Sequence, residues 1–277
     1  PQTPIEKTDV PGLPGAFTLT HLLSASECEQ IKRCSLTMGY VADAPISHGK
    51  CVRTCANCTW LMDERLNSAL WSRVAPFAPC DAWVGGSAVG LNRRWRFYEY
   101  VDSGSSFAWH RDGAWPCSSY DASSGSLIDD AFGDRKSKAT LLLYLDDDFD
   151  GGETSFFLPD ESPHDTRASP TGYPSSGSMG ATPRGSGTSC GTSGGTAGRE
   201  ATGTVVAVRV PRGGALIFPH GTHPLSPLHE GSPLSRGMKH VARTDIAYTL
   251  CHPGTHWRIS GLSRRADLNG RRCTVLE

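Results

Sequence analysis

The sequence lacks the features of several large protein classes. It contains no run of 18 apolar residues, which argues against a simple membrane-spanning helix. It also lacks an excess of one charge, because 27 Lys and Arg balance 28 Asp and Glu, so neither nucleic acid nor a membrane surface is an expected partner. The first residues show no basic segment followed by an apolar one, as a secretory signal would. We therefore expect a cytoplasmic protein, and the oligomeric state is not predicted.

Ten cysteines are scattered along the chain, and their spacing demands no disulfide. Only Cys51, Cys55 and Cys58 lie close together. With His48 as a fourth ligand they would make a zinc site. The alternative is a loop of reduced thiols near a substrate mouth, as expected in a cytosol-like compartment. Both interpretations stay open.

Helical features are concentrated in the first 80 residues. Ser26 and Glu29 fit a capping box, which predicts the start of a first helix. Asp63 precedes apolar residues at helical spacing and Pro76 follows them, which predicts a second helix between the two. Residues 1–80 are therefore a predicted helical lead-in.

Beyond residue 80 the pattern changes to short segments rich in β-forming residues, separated by Gly, Asp and Ser. These predicted strands lie at 88–92, 95–101, 140–145, 154–158, 204–210, 215–218 and 240–248. Two leading helices followed by a series of short strands indicate a β-sandwich or barrel supported by helices. We expect a single domain over residues 1–277.

Residues 160–203 differ in kind from the rest. Of these 44 residues, 29 are Gly, Ser, Thr or Pro, and none is Val, Ile, Leu, Phe or Trp. Such a segment buries too little apolar surface to offset the entropy of ordering it. The composition predicts a flexible insertion between two strands, which a folded domain tolerates because the cost of loop closure grows only logarithmically with length.

An H-x-D motif formed by His110 and Asp112 is the most informative feature of the chain. On a β-strand, residues i and i+2 point to the same side, so both side chains can hold one metal ion from one strand. A ferrous ion that activates oxygen takes two imidazoles and one carboxylate and keeps other positions open. His229 is the candidate for the second imidazole, with His220 and His223 as alternatives. The motif predicts a catalytic metal site.

Other motifs accompany this pair in a fixed order. They are Tyr98 and Tyr100, the strand 139–145, Gly151-Gly152-Glu153-Thr154, His229-Glu230-Gly231, Gly237, Lys239 and Arg243. Together they resemble the iron(II)/2-oxoglutarate-dependent dioxygenases, specifically the prolyl 4-hydroxylase-like branch. The resemblance runs from Tyr100 to Tyr248, roughly half the chain. It implies an α+β, mainly β fold whose core is a double-stranded β-helix (jelly roll) with supporting N-terminal helices.

The resemblance also implies a set of ligands. Fe(II) would be bound by His110, Asp112 and His229, because Gly237 can make the turn that the family places after the distal histidine. His220 and His223 would then lie at the rim of the site. The remaining co-substrates would be 2-oxoglutarate and O2, with ascorbate as the reductant.

The distal carboxylate of 2-oxoglutarate needs a basic partner deep in the barrel. Lys239 matches the family pattern, ten residues after His229, and lies farther from the metal than Arg243 if the chain turns at Gly237. Arg243 stays the alternative, because a guanidinium pairs with a carboxylate through two hydrogen bonds. Tyr100 and Tyr144 are expected to contact the co-substrate or to be core tyrosines.

The implied activity is hydroxylation of an unactivated C–H bond, with release of succinate and CO2. By the resemblance, the substrate is a prolyl residue of a protein or peptide. Two alternatives stay open: the same chemistry on a small molecule, and a zinc-dependent hydrolase that uses the same three ligands.

Overall fold

A computed structural model describes residues 3–42, 54–79, 87–101, 103–160, 202–250, 256–259 and 266–274. Almost all of the expected insertion, and both His48 and Cys51, lie outside the described residues. No helix in the described part of the chain is long and apolar enough to cross a membrane.

In the described ranges the chain forms two α-helices and 18 short strands. In chain order the elements are β1 (Glu6–Asp9), β2 (Phe17–Thr20), α1 (Ala25–Met38), β3 (Ala56–Leu61), α2 (Glu64–Val74), β4 (Ala88–Leu91), β5 (Arg94–Tyr100), β6 (Phe107–His110), β7 (Ser119–Asp121), β8 (Ser126–Ile128), β9 (Arg135–Tyr144), β10 (Phe149–Gly151), β11 (Thr154–Pro159), β12 (Gly203–Val208), β13 (Ala215–Pro219), β14 (Leu228–Gly231), β15 (Leu234–Gly237), β16 (Lys239–Thr249), β17 (His256–Arg258) and β18 (Arg272–Thr274).

The capping box of α1 is formed by Ser24 and Glu27, so the expectation of Ser26 and Glu29 was wrong by two residues. Glu27 N–H donates to Ser24 Oγ at 3.2 Å, and Ser24 N–H donates to Glu27 Oε2 at 2.8 Å. Glu27 also accepts a hydrogen bond from Arg73 Nη2 of α2 at 2.6 Å. This tertiary contact favours Glu27 over Glu29, because it ties the start of α1 to the second helix.

Helix α2 begins as predicted. The Asp63 side chain caps it by accepting from the N–H groups of Arg65 and Leu66, and the helix ends at Val74, before Pro76. Each of the seven predicted strands also corresponds to a strand, with ends shifted by a few residues.

An eight-stranded antiparallel sheet forms the larger half of the fold. Its strand order is β1-β2-β13-β9-β16-β5-β3, and β4 pairs with the far end of β16. The strands β1, β2 and β3 come from the predicted helical lead-in, which therefore also supplies both edges of this sheet.

A four-stranded sheet, in the order β12-β11-β14-β6, faces the larger one. Apolar side chains from both sheets form a common core, including Tyr144, Val241 and Phe218 from the large sheet and Phe156 from the small one. The other face of the large sheet packs against the helices through a second cluster that contains Ile31 and Leu70. Two facing antiparallel sheets with helices outside are the expected double-stranded β-helix.

Candidate metal centre

Strands β6 and β14 place the two candidate imidazoles side by side. His110 ends β6, and His229 lies directly opposite it in the antiparallel ladder, with ring centroids 4.3 Å apart. Asp112 supplies the third group, and the ligand atoms of all three lie within 4.8 Å of one another. The structure therefore brings together the three residues that the sequence indicated.

Asp112 does not lie on a strand, so the expectation that one strand carries both His110 and Asp112 was wrong. Strand β6 ends at His110, and Asp112 belongs to the loop that follows. The Gly221 N–H donates to the Asp112 carbonyl at 2.9 Å. This bond draws the loop towards the β13–β14 connection, and the carboxylate then turns back to the histidines.

The imidazoles present the same nitrogen to the site. Asp112 Oδ1 lies 3.7 Å from His110 Nε2, and Asp112 Oδ2 lies 3.6 Å from His229 Nε2. The opposite nitrogens face backbone carbonyls, with His110 Nδ1 2.7 Å from Ala108 O and His229 Nδ1 3.4 Å from Pro227 O. Because a carbonyl only accepts, Nδ1 carries the proton and Nε2 keeps its lone pair for a metal.

The protonation states suit a divalent cation. Burial lowers the pKa of His229 to about 3, which keeps this imidazole neutral. Burial alone would raise the pKa of Asp112, but the Arg243 guanidinium, 2.8 Å away, holds it well below its usual range. Neutral imidazoles and an ionised carboxylate are the donors that Fe(II) takes in oxygen-activating sites, so these residues fit the ion.

A chain of buried hydrogen bonds orients the Asp112 carboxylate. Thr140 Oγ1 donates to Asp112 Oδ2 at 2.7 Å and lies 2.8 Å from His220 Nδ1. The hydroxyl proton is used on Asp112, so His220 Nδ1–H must be the donor to Thr140. His220 Nε2 then accepts from Ser137 Oγ at 2.9 Å.

His220 is fully buried, with 1% of its surface exposed, so the expectation of a rim residue was wrong. Its ring sits behind the carboxylate and not beside the open face of the site, and it is not one of the three grouped ligands. His223 is half-buried, and its Nδ1 accepts from the Leu225 N–H at 3.0 Å.

One cavity is lined by all three ligands and by both candidate anchors for 2-oxoglutarate. Strand β16 sets the depth of these anchors. Lys239 pairs with Tyr100 and Arg243 pairs with Arg96 in the ladder with β5. Four residues along a strand span about 13 Å, so Arg243 lies at the level of Asp112 and Lys239 lies far below it.

Arg243 is already paired with carboxylates. Its Nη1 lies 2.8 Å from Asp112 Oδ1, and its Nη2 donates to Asp245 Oδ1 at 3.1 Å. Both carboxylates are buried, so these pairs are poorly screened by solvent.

Lys239 has a different environment. Its ammonium donates to the Gly152 carbonyl at 2.5 Å, and no carboxylate lies within ion-pair distance in the described part of the chain. The rings of Tyr100 and Tyr144 lie 4.8 and 5.5 Å from Nζ. Burial lowers the pKa of Lys239 to about 8. A buried cation with one neutral partner is a site that an anionic ligand would stabilise.

The turns around Lys239 depend on glycine. Gly237 has a φ of +82°, and a Cβ there would lie 2.6 Å from Asp148 O. The chain turns at this residue between β15 and β16, as the sequence indicated. Gly151 and Gly152, which precede β11, also have positive φ and allow the close approach of the Gly152 carbonyl to Lys239.

The two expected tyrosines line the space above Lys239. Tyr144 shares a short hydrogen bond of 2.5 Å with Thr154 Oγ1. Tyr100 is buried beside Gly231, where a Cβ would meet the tyrosine hydroxyl at 2.9 Å. Cys55 belongs to the cluster of Tyr100, whereas Cys58 packs against the cluster on the other face of the sheet. These two thiols therefore do not form a common site.

Sequence reasoning missed the buried groups around the carboxylate, namely Thr140, Ser137 and Asp245. Two of these residues could have been found from the alternation of side chains along β9 and β16. Thr140 shares strand parity with Tyr144, and Asp245 shares it with Lys239 and Arg243, so two of these polar residues fall on the inner face once that face is known.

Comparisons with known proteins give remote similarities. No family model and no curated protein sequence matches the chain. Among solved structures, a viral collagen prolyl hydroxylase from Paramecium bursaria Chlorella virus-1, in complex with 2OG, is 15% identical and matches over 89% of this chain and 96% of that chain, with a TM-score of 0.45.

Two further structures are similar to the same degree. A prolyl hydroxylase from Trichoplax adhaerens, in complex with a hypoxia inducible factor peptide fragment, is 15% identical over 85% of this chain and 83% of that chain, with a TM-score of 0.49. A prolyl-4-hydroxylase from Pseudomonas putida is 15% identical over 85% of this chain and 92% of that chain, with a TM-score of 0.44. The identities are low, and the likeness concerns the course of the chain.

Proposed function

We propose that this protein is an Fe(II)- and 2-oxoglutarate-dependent oxygenase that hydroxylates a C–H bond of its substrate. The observation that carries the proposal is the set of residues that line one cavity. It combines two imidazoles and a carboxylate, close enough to hold one metal ion, with a buried lysine that lies on β16 four residues from Arg243, the partner of Asp112.

His110, Asp112 and His229 are the proposed metal ligands. When bound, iron would supply the activation of O2, coupled to conversion of 2-oxoglutarate to succinate and CO2, that places one oxygen atom in a C–H bond. Thr140 and His220 hold the carboxylate in place, so little reorganisation is needed when the metal binds.

Lys239 is the proposed partner of the distal carboxylate of 2-oxoglutarate. Arg243 is the weaker candidate, because Asp112 and Asp245 already neutralise it. Tyr100 and Tyr144 lie over the ammonium group and exclude water from it, which strengthens an ion pair formed there. A zinc hydrolase with the same ligands would have no use for this buried cation.

The proposed substrate is a prolyl residue of a protein or peptide, and a small molecule is the alternative. This assignment rests on the resemblance of the motifs between Tyr100 and Tyr248 to prolyl 4-hydroxylases. The residues of the site support the proposed co-substrate chemistry, but they do not select a substrate, because one such site serves many substrates.

The test is succinate formation from 2-oxoglutarate by the full chain with Fe(II) and ascorbate, with proline-rich peptides and metabolite mixtures as substrates. We expect turnover that disappears in His110→Ala. Lys239→Ala should raise the KM for 2-oxoglutarate at least about tenfold, because a charge-assisted hydrogen bond is worth about 1.5–3 kcal/mol.

Lys7→Ala is the matched control, since Lys7 is an exposed lysine that pairs with Asp9. It should leave the KM unchanged. If Arg243→Ala raises the KM and Lys239→Ala does not, the anchor is assigned wrongly. Purified protein that retains zinc and consumes no 2-oxoglutarate with iron would contradict the oxygenase proposal.

A further inference from the structure

Two arginines lie next to the metal level on the inner face of β5. Side chains alternate along a strand, so Arg94 and Arg96 point to the same side as Tyr98 and Tyr100. The ladder places Arg96 directly opposite Arg243. Arg94 and Arg96, the β5 pair, therefore lie at the opposite end of the inner face from Lys239. The proposed position of the distal carboxylate of 2-oxoglutarate is at the Lys239 end.

Arg96 is buried without a hydrogen bond. Only 4% of its surface is exposed, and among the described residues no acceptor lies within hydrogen-bond distance of its guanidinium. The nearest carboxylate oxygen is Asp245 Oδ2 at 3.9 Å, and Asp245 already accepts from Arg243 at 3.1 Å. A guanidinium has five N–H donors, and in the described ranges those of Arg96 have only this distant carboxylate beside them, so they can take a further acceptor.

Arg94, two residues before Arg96 on the same face of β5, also has an unused hydrogen-bond donor. Its Nε is buried and has no hydrogen-bond partner. The indole of Trp115 lies 5.2 Å from the Arg94 guanidinium and 6.0 Å from that of Arg96. Contact with an aromatic face leaves the N–H edge of a guanidinium available for a planar acceptor.

Two hydrogen bonds to Ser137 fix the backbone of Trp115, whose indole lies beside the two arginines. Its backbone N–H donates to Ser137 Oγ at 2.8 Å, and its carbonyl accepts from the Ser137 N–H at 2.8 Å. Ser137 also bonds His220, which supports the metal carboxylate through Thr140. The two arginines and the metal ligands thus share one rigid frame.

The local charges are not balanced. Arg96 and Arg243 lie within ion-pair distance of two carboxylates, those of Asp112 and Asp245, whereas Arg94 has no ion-pair partner among the described residues. Both carboxylates are bound by Arg243, so the surplus positive charge falls on the β5 pair. Its chemistry suits one further carboxylate, which accepts two parallel hydrogen bonds from a guanidinium.

We propose that Arg96, assisted by Arg94 and walled by Trp115, binds a carboxylate group of the substrate and so orients it beside the metal. This inference rests on the proposed function. The carboxylate has two sources in a prolyl substrate: the α-carboxylate of a terminal or free proline, and an acidic side chain next to an internal proline.

The test measures dissociation constants by calorimetry with protein loaded with Mn(II) and 2-oxoglutarate, which does not turn over. Two pairs of probes differ only in the carboxylate. L-Proline is compared with L-prolinamide, and acetyl-Pro-Glu-amide is compared with acetyl-Pro-Gln-amide. We expect the acid of one pair to bind at least about tenfold more tightly than its amide, because the bonds to a charged acceptor are lost in the amide. The pair that shows the difference identifies the source.

Arg96→Gln should bring acid and amide within about twofold of each other, and Arg96→Lys should restore part of the preference, because it keeps the charge and loses the planar fork. Arg33→Gln removes an exposed arginine of α1 and should change nothing. Circular dichroism of each variant establishes that it is folded, and Arg94→Gln provides a second, less buried substitution.

Equal binding of acid and amide in both pairs, no binding of either at millimolar concentration, or an unchanged preference in both Arg96→Gln and Arg94→Gln would overturn the inference. Binding of 2-oxoglutarate to the Mn(II) protein is measured in the same experiment. If it binds and the acids show no preference, only the carboxylate site is refuted; if it does not bind, the proposed function itself fails.

Discussion

Replacing Lys239 with Met should make the metal-free protein more stable while it weakens the binding of 2-oxoglutarate. The folded protein lowers the pKa of Lys239 from 10.5 to about 8, because the ammonium group is buried. Each tenfold change in proton affinity is worth about 1.4 kcal/mol, so the buried charge costs about 3 kcal/mol at neutral pH. The substitution also removes the hydrogen bond to Gly152 O, and this loss lowers the stability by about 1 kcal/mol. The expected net gain is about 2 kcal/mol.

The gain should depend on pH in a defined direction. Below pH 8 the lysine is charged in both the folded and the unfolded chain, and the whole penalty is present in the wild type. Between pH 8 and 10.5 the folded protein has released the proton and the unfolded chain still holds it, so the wild type gains stability as the pH rises. The difference between Lys239→Met and wild type should therefore shrink across this window.

Urea denaturation of both proteins at pH 7 and pH 9.5, without metal or co-substrate, measures the difference. A matched series with Mn(II) and 2-oxoglutarate should reverse the order, because the wild type binds the co-substrate more tightly and gains more stability from it. A variant that is less stable than the wild type at pH 7, or a difference that grows with pH, would refute the view of Lys239 as a buried cation that lacks its anion.

Three further predictions concern the supports of the site and the fold. Ser24→Ala should lower the free energy of unfolding by about 1 kcal/mol, and Ser26→Ala should leave it nearly unchanged, because Ser24 caps α1. Gly237→Ala should cost about 2 kcal/mol, since the residue has a φ of +82° and a Cβ would meet Asp148 O at 2.6 Å. His220→Ala and Thr140→Val should each weaken Fe(II) or Co(II) binding about 10- to 100-fold, because the carboxylate loses its support.

Urea denaturation and anaerobic metal titration measure these effects. Equal losses in the two serine variants would place the cap of α1 elsewhere. A Gly237→Ala protein as stable as the wild type would contradict the turn at the base of the cavity. Unchanged metal affinity and an unchanged visible spectrum of the Co(II) form in both His220→Ala and Thr140→Val would show that the buried network has no influence on the metal ligands.

The strands of the core could be predicted because their pattern is local. In β16, alternation puts Lys239, Val241 and Arg243 on one face, and the structure lines the cavity with these three residues. The same alternation exists in β5 and β9, where one set of side chains lines the cavity side and the other packs on the helix side of the sheet.

The place of Asp112 could not be predicted, because it depends on a contact that is distant in sequence. The N–H of Gly221 holds the Asp112 carbonyl, and the side chain is held by Thr140. His220 was misjudged for the same reason. Its partners Ser137 and Thr140 lie 83 and 80 residues away along the chain, and a histidine in a Pro/Gly-rich segment otherwise indicates an exposed loop.

Strands β1 and β2 of the large sheet were missed because they are short and largely polar. Strand β1 consists of Glu6–Asp9 and is exposed along its whole length. It pairs with β2, whose Phe17 and Leu19 alone turn inward. Nothing in such a segment separates a strand from a loop until a partner strand is known.

Titration of 2-oxoglutarate into the protein under anaerobic conditions, with and without Fe(II), tests the central claim most directly. We expect one co-substrate per chain, bound with measurable affinity only when the metal is present, weakened by His229→Ala through the loss of the metal and by Lys239→Met with the metal still bound. Binding that does not need the metal, or that survives unchanged in both variants, would contradict a site in which the three ligands and the buried lysine act together.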